Sequence, residues 1–218
     1  MPFRDRNQAA HQLAEKLALY KGKNPLILAI PRGAVPMAKI IADALEGDFD
    51  VVLVRKLRAP FSPEFAIGSV DESGWTYVAD YALSAGGTKE YIESEKATQM
   101  ETMRRRRAQY TPIRPPIDPD GRIVIIIDDG LATGATMISA LHATRAKNPA
   151  KLICAVPVSP PDTLQKVQKL ADEVVCIEAP EWFSAVGQFY MDFPQVEDEV
   201  VVEILRQGAF KHVGAKQE

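Results

Sequence analysis

The chain has 218 residues, a formal net charge of -3 and a hydrophobic fraction of 46%. That size supports one substantial core, although length alone also permits two small domains. The slightly acidic balance argues against a general nucleic-acid surface, and no apolar run approaches the roughly eighteen residues that a membrane-spanning helix needs. The opening MPFRDRNQAAHQ lacks the apolar region of a signal peptide, so a cytoplasmic protein is expected. Cys154 and Cys176 lie in apolar runs without a C-x-x-C or histidine partner, which is the pattern of buried, reduced thiols.

Residues 5–21 place Ala9, Leu13, Leu17 and Tyr20 at helical spacing, with Asp5 near the start and Lys21-Gly22 at the end, and a scaffold helix is predicted there. His11 has no ligand-spaced partner on it and reads as an ordinary histidine. Leu26–Ile30 is a short apolar strand that runs into Pro31-Arg32-Gly33-Ala34-Val35-Pro36 and then the helical MAKIIADAL. Such a loop presents backbone N–H groups and a guanidinium fork to an anion, or else is a tight turn with a solvated arginine. Val51–Val54 reads as a third buried strand with Arg55, Lys56 and Arg58 beyond its end, a cluster that chemistry alone leaves between solvation and function.

From Ala59 to about Thr88, Pro60 and Pro63 precede AIGSVDESGWTYVAD, two short strands joined at Glu72-Ser73-Gly74. Residues 88–109 form a long polar helix carrying Arg104, Arg105, Arg106 and Arg107. Successive helical residues point about 100° apart, so the four arginines cannot face one ligand, and most of them are expected at the surface or a subunit contact. TPIRPPIDPDG is a connector. After the stretch treated next, Met137–Ala146 reads as a helix, KLICAVPV as a buried strand, Pro160–Leu170 as a helix and EVVCIEA as a last strand. Strands alternating with helices predict an α/β fold with a doubly wound, mostly parallel sheet flanked by helices.

The most informative stretch is Ile123–Thr136, IVIIIDDGLATGAT. Ile123, Val124, Ile125, Ile126 and Ile127 run without polar alternation, as a strand covered on both faces does. Asp128 and Asp129 stand at its end, and a loop of small and hydroxylated residues follows before the next helix. Ligands of open α/β sheets bind beyond the strands' carboxyl ends, and a loop entering a helix offers amide donors that small side chains let a phosphate approach. The carboxylates repel that anion and suit a neighbouring diol or a cation bound with the phosphates. No lysine follows Gly134, which excludes a P-loop, and the acids precede the glycines, which excludes a dinucleotide fingerprint.

On these residues the segment resembles the phosphoribosyl pyrophosphate motif of type I phosphoribosyltransferases: an apolar strand, two acidic residues and a T-G-x-T loop. The resemblance implies that Asp128 and Asp129 bind the ribose hydroxyls and that Ala132, Thr133, Gly134, Ala135 and Thr136 hold the 5′-phosphate. It puts Arg32 and Gly33 in a pyrophosphate loop, which in the family often contains a non-proline cis peptide, and brings Lys56 toward the pyrophosphate or the acceptor. It further implies a single domain over 1–218 with a mobile flap at about 58–88 and a hood at about 178–218. Mg²⁺ is expected with the diphosphate, with Asp128 and Asp129 reaching it through water at most, and a homodimer is expected as well.

Pro180 to Phe193 is rich in aromatics, which composition alone favours as core. The segment also resembles the hood of hypoxanthine-guanine phosphoribosyltransferases, which implies that Phe183 stacks on the acceptor and that Val186 lends backbone hydrogen bonds. Two residues depart from those enzymes: Ala132 replaces an aspartate near the purine, and Pro157 or Val158 replaces a base-reading lysine. The loop DDGLATGAT is closer in wording to adenine phosphoribosyltransferases, and the whole chain looks most like a group whose acceptor is unassigned. The expected activity is transfer of ribose 5-phosphate to a nitrogenous, ring-like acceptor with release of pyrophosphate, and no residue stands out as the general base. The rivals are a non-catalytic regulator that binds phosphoribosyl pyrophosphate, with Arg104 to Arg107 as a contact surface, and a hydrolase or phosphorylase built on the same loops.

Overall fold

In chain order the elements are α1 (Arg6–Lys16), β1 (Leu26–Ala29), α2 (Val35–Leu45), β2 (Asp48–Val51), β3 (Val54–Ala59), β4 (Ser62–Asp71), β5 (Thr76–Val78) and α3 (Lys89–Tyr110). They continue with β6 (Ile123–Ile127), α4 (Ala135–Arg145), β7 (Lys151–Val158), α5 (Pro161–Gln168), β8 (Glu173–Glu178) and α6 (Asp198–Gly214). The computed structural model describes residues 2–214; Met1 and residues 215–218, the end of the expected hood range, lie outside the described residues. A five-stranded parallel sheet has the order β2-β1-β6-β7-β8, and a three-stranded antiparallel sheet has the order β3-β4-β5.

The β6 run is apolar throughout because both of its faces are covered. Ile125 and Ile127, with Ile27, Ala29, Ile153 and Ala155, belong to a core shared with Leu13 of α1 and Met37 and Ile41 of α2. Val124 and Ile126, with Leu28, Leu152 and Cys154, belong to a second core with Met137 and Leu141 of α4 and Val167 of α5. Helices on both faces are what an all-parallel sheet requires. The chain reverses direction across the sheet between β1 and β6, and such a switch point opens a crevice beyond the strands' carboxyl ends. Burial pushes both thiols up, that of Cys176 to about 11; Cys154 is buried as expected, whereas Cys176 is half-buried.

Three expectations change. The first helix ends at Lys16 and passes into a 3₁₀ turn at Ala18–Tyr20 rather than continuing to residue 21. Val51–Val54 is not one strand: β2 closes at Val51, and Val54 opens β3 in the other sheet. An apolar run cannot distinguish one buried strand from two joined by a buried bend, and Asp48 and Asp50 disguised the true start of β2. Asp50 is tolerated there because its carboxylate accepts from the amides of Val51 at 2.7 Å and Ile117 at 2.8 Å. The third change is α6, which sequence patterning did not show.

The expected turn at Glu72-Ser73-Gly74 does join two strands, and Asp71 closes it by accepting from Ser73 N at 2.9 Å and Trp75 N at 3.0 Å. β3 adds a third strand to that hairpin through a second turn at Pro60-Phe61. Ser69 Oγ of β4 donates to the Ala135 carbonyl at 2.5 Å and lies 2.6 Å from Ser139 Oγ, which fastens this sheet to α4. The polar helix begins where predicted, with Thr88 Oγ1 accepting from Tyr91 N at 3.2 Å. No helix among the described residues is long and apolar enough to cross a membrane.

Helix α6 packs on α2, α3 and β2, with Val201 and Leu205 fully buried. Leu205→Ala is therefore expected to destabilise the protein by about 2–5 kcal/mol, which urea unfolding followed by circular dichroism measures.

Candidate functional site

The loop after β6 is shaped by two glycines. Gly134 adopts φ +76°, and an added Cβ there would lie 2.7 Å from Thr163 Cγ2. Gly130 would bring a Cβ within 2.6 Å of Val186. Thr163 Oγ1 donates to the Ala132 carbonyl at 2.7 Å, and Leu131 N donates to the Val158 carbonyl at 2.9 Å, so the flanks of the loop are held. Its centre is not: among the described residues, the amides of Ala132, Thr133, Gly134 and Thr136 find no protein acceptor, and Ala135 N reaches Thr133 Oγ1 only at 3.4 Å. Open amides at the start of a helix are donors that an anion can use.

Asp128 and Asp129 line the same cleft, which has a volume of about 580 Å³. Asp128 Oδ1 accepts from the Asp129 amide at 2.9 Å. Burial first, and the adjacent Asp129 charge second, push the Asp128 carboxyl well above the usual carboxylate range. Asp129 is compensated by a residue that sequence spacing did not single out. Arg6, 123 positions away, brings Nε to 2.9 Å and Nη2 to 2.8 Å from Asp129 Oδ2. Its Nη1 donates to the Pro194 carbonyl at 2.6 Å, and the guanidinium lies 3.7 Å from the centre of the Phe193 ring. Tyr190 donates its hydroxyl to the Asp129 carbonyl at 2.6 Å, and burial followed by the Asp129 charge raises its pKa.

Arg32, Arg55, Lys56 and Arg58 bring positive charge to the lining of the same cleft. The Pro31-Arg32 peptide is cis. Gly33 abuts the acid pair so closely that a Cβ would fall 2.1 Å from Asp129 Oδ2. Arg32 turns toward the start of α6, with Nη1 3.2 Å from Glu197 and 3.5 Å from Asp198. Arg58 pairs with Glu95 at 2.8 Å. Arg55 bonds Gln99 at 2.9 Å, and burial, then Arg106, Arg58 and Arg32, lower its pKa to about 10. Lys56 lies within β3 rather than beyond a strand end, and it still reaches the cleft.

The C-terminal segment closes the remaining side through Ser184, Ala185, Val186, Gly187 and Phe193. Phe183 is not among the side chains lining the cleft; its ring packs on Phe189 with centroids 5.0 Å apart. Of the four consecutive arginines, Arg104 and Arg105 are exposed, Arg106 approaches Asp198 at 3.4 Å, and Arg107 makes a two-pronged pair with Glu72. None of the four lines this cleft. Arg6, Arg55 and Tyr190 are the site residues that sequence reasoning missed, and only the composition of the RKLR run pointed to any of them.

These features define an α/β protein with a loop of open amides at the switch point of a parallel sheet. Comparison with known proteins then identifies the family. A phosphoribosyl transferase domain model matches residues 4–194, and the chain belongs to that family. Two proteins of Mycobacterium tuberculosis, from strains CDC 1551 and H37Rv, carry a provisional phosphoribosyl transferase name and are each 40% identical over 206 residues. That alignment covers 93% of this chain and 46% of each relative, so the chain spans about half the length of the curated relatives it matches. The crystal structure of TT1426 from Thermus thermophilus superposes with a TM-score of 0.78 at 42% identity, covering 95% of this chain and 99% of that one.

A carboxyl whose folded pKa is raised binds more protons folded than unfolded, so its contribution to stability falls as pH rises through that interval. Asp128→Asn keeps the acceptor for the Asp129 amide and removes the charge. It is expected to raise the ligand-free melting midpoint at neutral pH, with the gain shrinking as pH falls toward 4; thermal unfolding across pH checks both.

Proposed function

We propose that this protein is a phosphoribosyltransferase that takes ribose 5-phosphate from phosphoribosyl pyrophosphate and joins it to a nitrogenous, ring-like acceptor, releasing pyrophosphate. The observation that carries this reading is the set of open amides at Ala132, Thr133, Gly134 and Thr136, facing the same cleft as an uninterrupted pair of carboxylates. In this reading the amides and the Thr133 and Thr136 hydroxyls hold the 5′-phosphate, with Ala135 as part of the cradle. Asp128 and Asp129 accept from the ribose 2′- and 3′-hydroxyls. Arg32, Gly33 and Lys56 serve the pyrophosphate, and the Arg55 guanidinium adds charge in the same cleft.

Breaking the bond between C1 and the diphosphate oxygen builds positive charge on the ribose and negative charge on the leaving group. The acceptor nitrogen then forms the new bond at C1. Catalysis on this account is chiefly positioning and electrostatics: both ends of the donor are held while cations and amides meet the departing charge. Arg32 is paired with Glu197 and Asp198, which a diphosphate must displace or outcompete. The hairpin bearing Pro63 and Glu64 lines the cleft and is the natural flap, and residues 184–187 are the natural hood. Closure of such a flap excludes water from a reactive ribosyl centre.

The donor set fits a Mg²⁺ ion that arrives with the diphosphate. No group of three or more His, Cys, Asp or Glu among the described residues could hold a metal, and one carboxylate of the acid pair is already engaged by Arg6. Asp128 and Asp129 would meet the ion mainly through water, and the ion would neutralise charge on the diphosphate. Val186 borders the acceptor side of the cleft, whereas Phe183 supports that wall through Phe189.

Incubation with phosphoribosyl pyrophosphate, Mg²⁺ and a panel of nucleobases, with pyrophosphate release as the readout, tests the proposal. Base-dependent release is expected. Tight binding without release would favour a regulator, and release without any base would favour a hydrolase. Asp129→Asn is expected to weaken donor binding by about 1–3 kcal/mol, read by calorimetry. Phe183→Ala is expected to raise the acceptor KM more than the donor Kd, as measured by steady-state kinetics beside calorimetry.

A further inference from the structure

Among the described residues, Arg6 is the charged side chain of the first helix that pairs with the acid pair, and its surroundings restrict what it can do. The side chain is only 11% exposed and is not among the residues lining the cleft, so it meets a ligand only through another group. Nε and Nη2 are both spent on Asp129 Oδ2, Nη1 on the Pro194 carbonyl, and the face of the guanidinium on Phe193. Beside the same oxygen, the backbone of Gly33 leaves no room for a Cβ, which would fall 2.1 Å from Asp129 Oδ2 and 3.3 Å from Arg6 Nε. Asp129 Oδ2 thus sits where the guanidinium and the loop that carries Arg32 meet.

The same region is stitched to the C-terminal segment by backbone bonds: Phe3 N donates to the Phe189 carbonyl at 2.7 Å, Met191 N to the Phe3 carbonyl at 2.8 Å, and Asp192 N to the Arg4 carbonyl at 2.9 Å. The rings of Phe3, Tyr190 and Phe193 pack in sequence beside it, the first pair tilted and the second stacked, with centroids 5.4 Å and 4.6 Å apart. The acid pair, the chain start and residues 189–194 therefore form one connected body, with the Arg6 fork at its junction.

We infer that Arg6 is a positioning residue: it fixes the Asp129 carboxylate for the ribose diol and couples the seating of the C-terminal segment to donor binding. The inference rests on the reading of Asp129 as a ribose ligand. Two like charges at one strand end repel, and a planar fork that takes one oxygen from the side removes part of that repulsion and holds the carboxylate in one rotamer. A ligand then meets a carboxylate that is already oriented, which lowers the ordering cost of binding. A lysine supplies charge at that place without the fork.

The test is calorimetry of phosphoribosyl pyrophosphate with Mg²⁺ on the full chain, comparing the unaltered protein with Arg6→Lys, Arg6→Gln and Arg6→Ala, each shown to be folded by thermal melting. Loss of a charge-assisted fork is expected to weaken donor binding about tenfold to a hundredfold in Arg6→Gln, with Arg6→Lys between it and the unaltered protein. Added methylguanidinium, at a concentration that leaves the melting midpoint unchanged, is expected to restore affinity in Arg6→Ala and not in Asp129→Asn. A merely structural role would not produce that rescue. Equal donor affinity in the unaltered protein and in folded Arg6→Gln or Arg6→Lys overturns the inference alone. Failure of the unaltered protein to bind the donor overturns the functional reading and this inference together.

Discussion

The structure is organised around a local electrostatic conflict: two adjacent carboxylates at the buried end of β6. A carboxylate pair in that position is unstable unless something opposes its charge, because burial and mutual repulsion both disfavour ionisation. The chain resolves the conflict from three directions. Arg6 approaches Asp129 from α1, Lys56 lines the cleft from β3, and the Asp129 amide caps Asp128. The resolution is incomplete at Asp128, whose carboxyl burial and the Asp129 charge push up.

Topology explains why this conflict occurs where it does. The order β2-β1-β6-β7-β8 parts the connecting loops between β1 and β6, and those loops carry Pro31-Arg32-Gly33 and Asp128-Asp129. The two can approach closely because position 33 has no side chain. The cleft is then lined by carboxylates, open amides and cations together. A ligand with a diol between two anionic ends, such as the proposed donor, would use all of these groups, whereas a simple phosphate ester would use only part of them.

Several features of the site were legible in the sequence because they depend on neighbours in the chain. The IVIII run, the acid pair and the small-residue loop form a unit within fourteen positions, and their geometry follows from a strand ending where a helix begins. The Arg32 loop was legible for the same reason. The run VVLV was misread because hydrophobicity reports burial, not direction, and the bend between β2 and β3 is as buried as the strands it joins. Helix α6 escaped notice because Val200, Val201 and Val202 favour strands in isolation; the burial of Val201 and Leu205 against α2 and α3 overrides that preference.

By itself the sequence determined the strand-loop-helix units, the alternating order that commits the chain to a parallel sheet, and the chemistry gathered at the end of β6. All of these are set by residues within a turn or a strand of one another. Tertiary structure alone decided that Arg6 reaches Asp129, that Arg32 meets Glu197 and Asp198, and that Phe183 packs on Phe189 instead of lining the cleft. The first two of these pairings join side chains more than a hundred positions apart, and in the third, residues six apart are arranged by the way their segment folds against the sheet. Such contacts are fixed by how the elements pack, and no local pattern of charge or hydrophobicity encodes them.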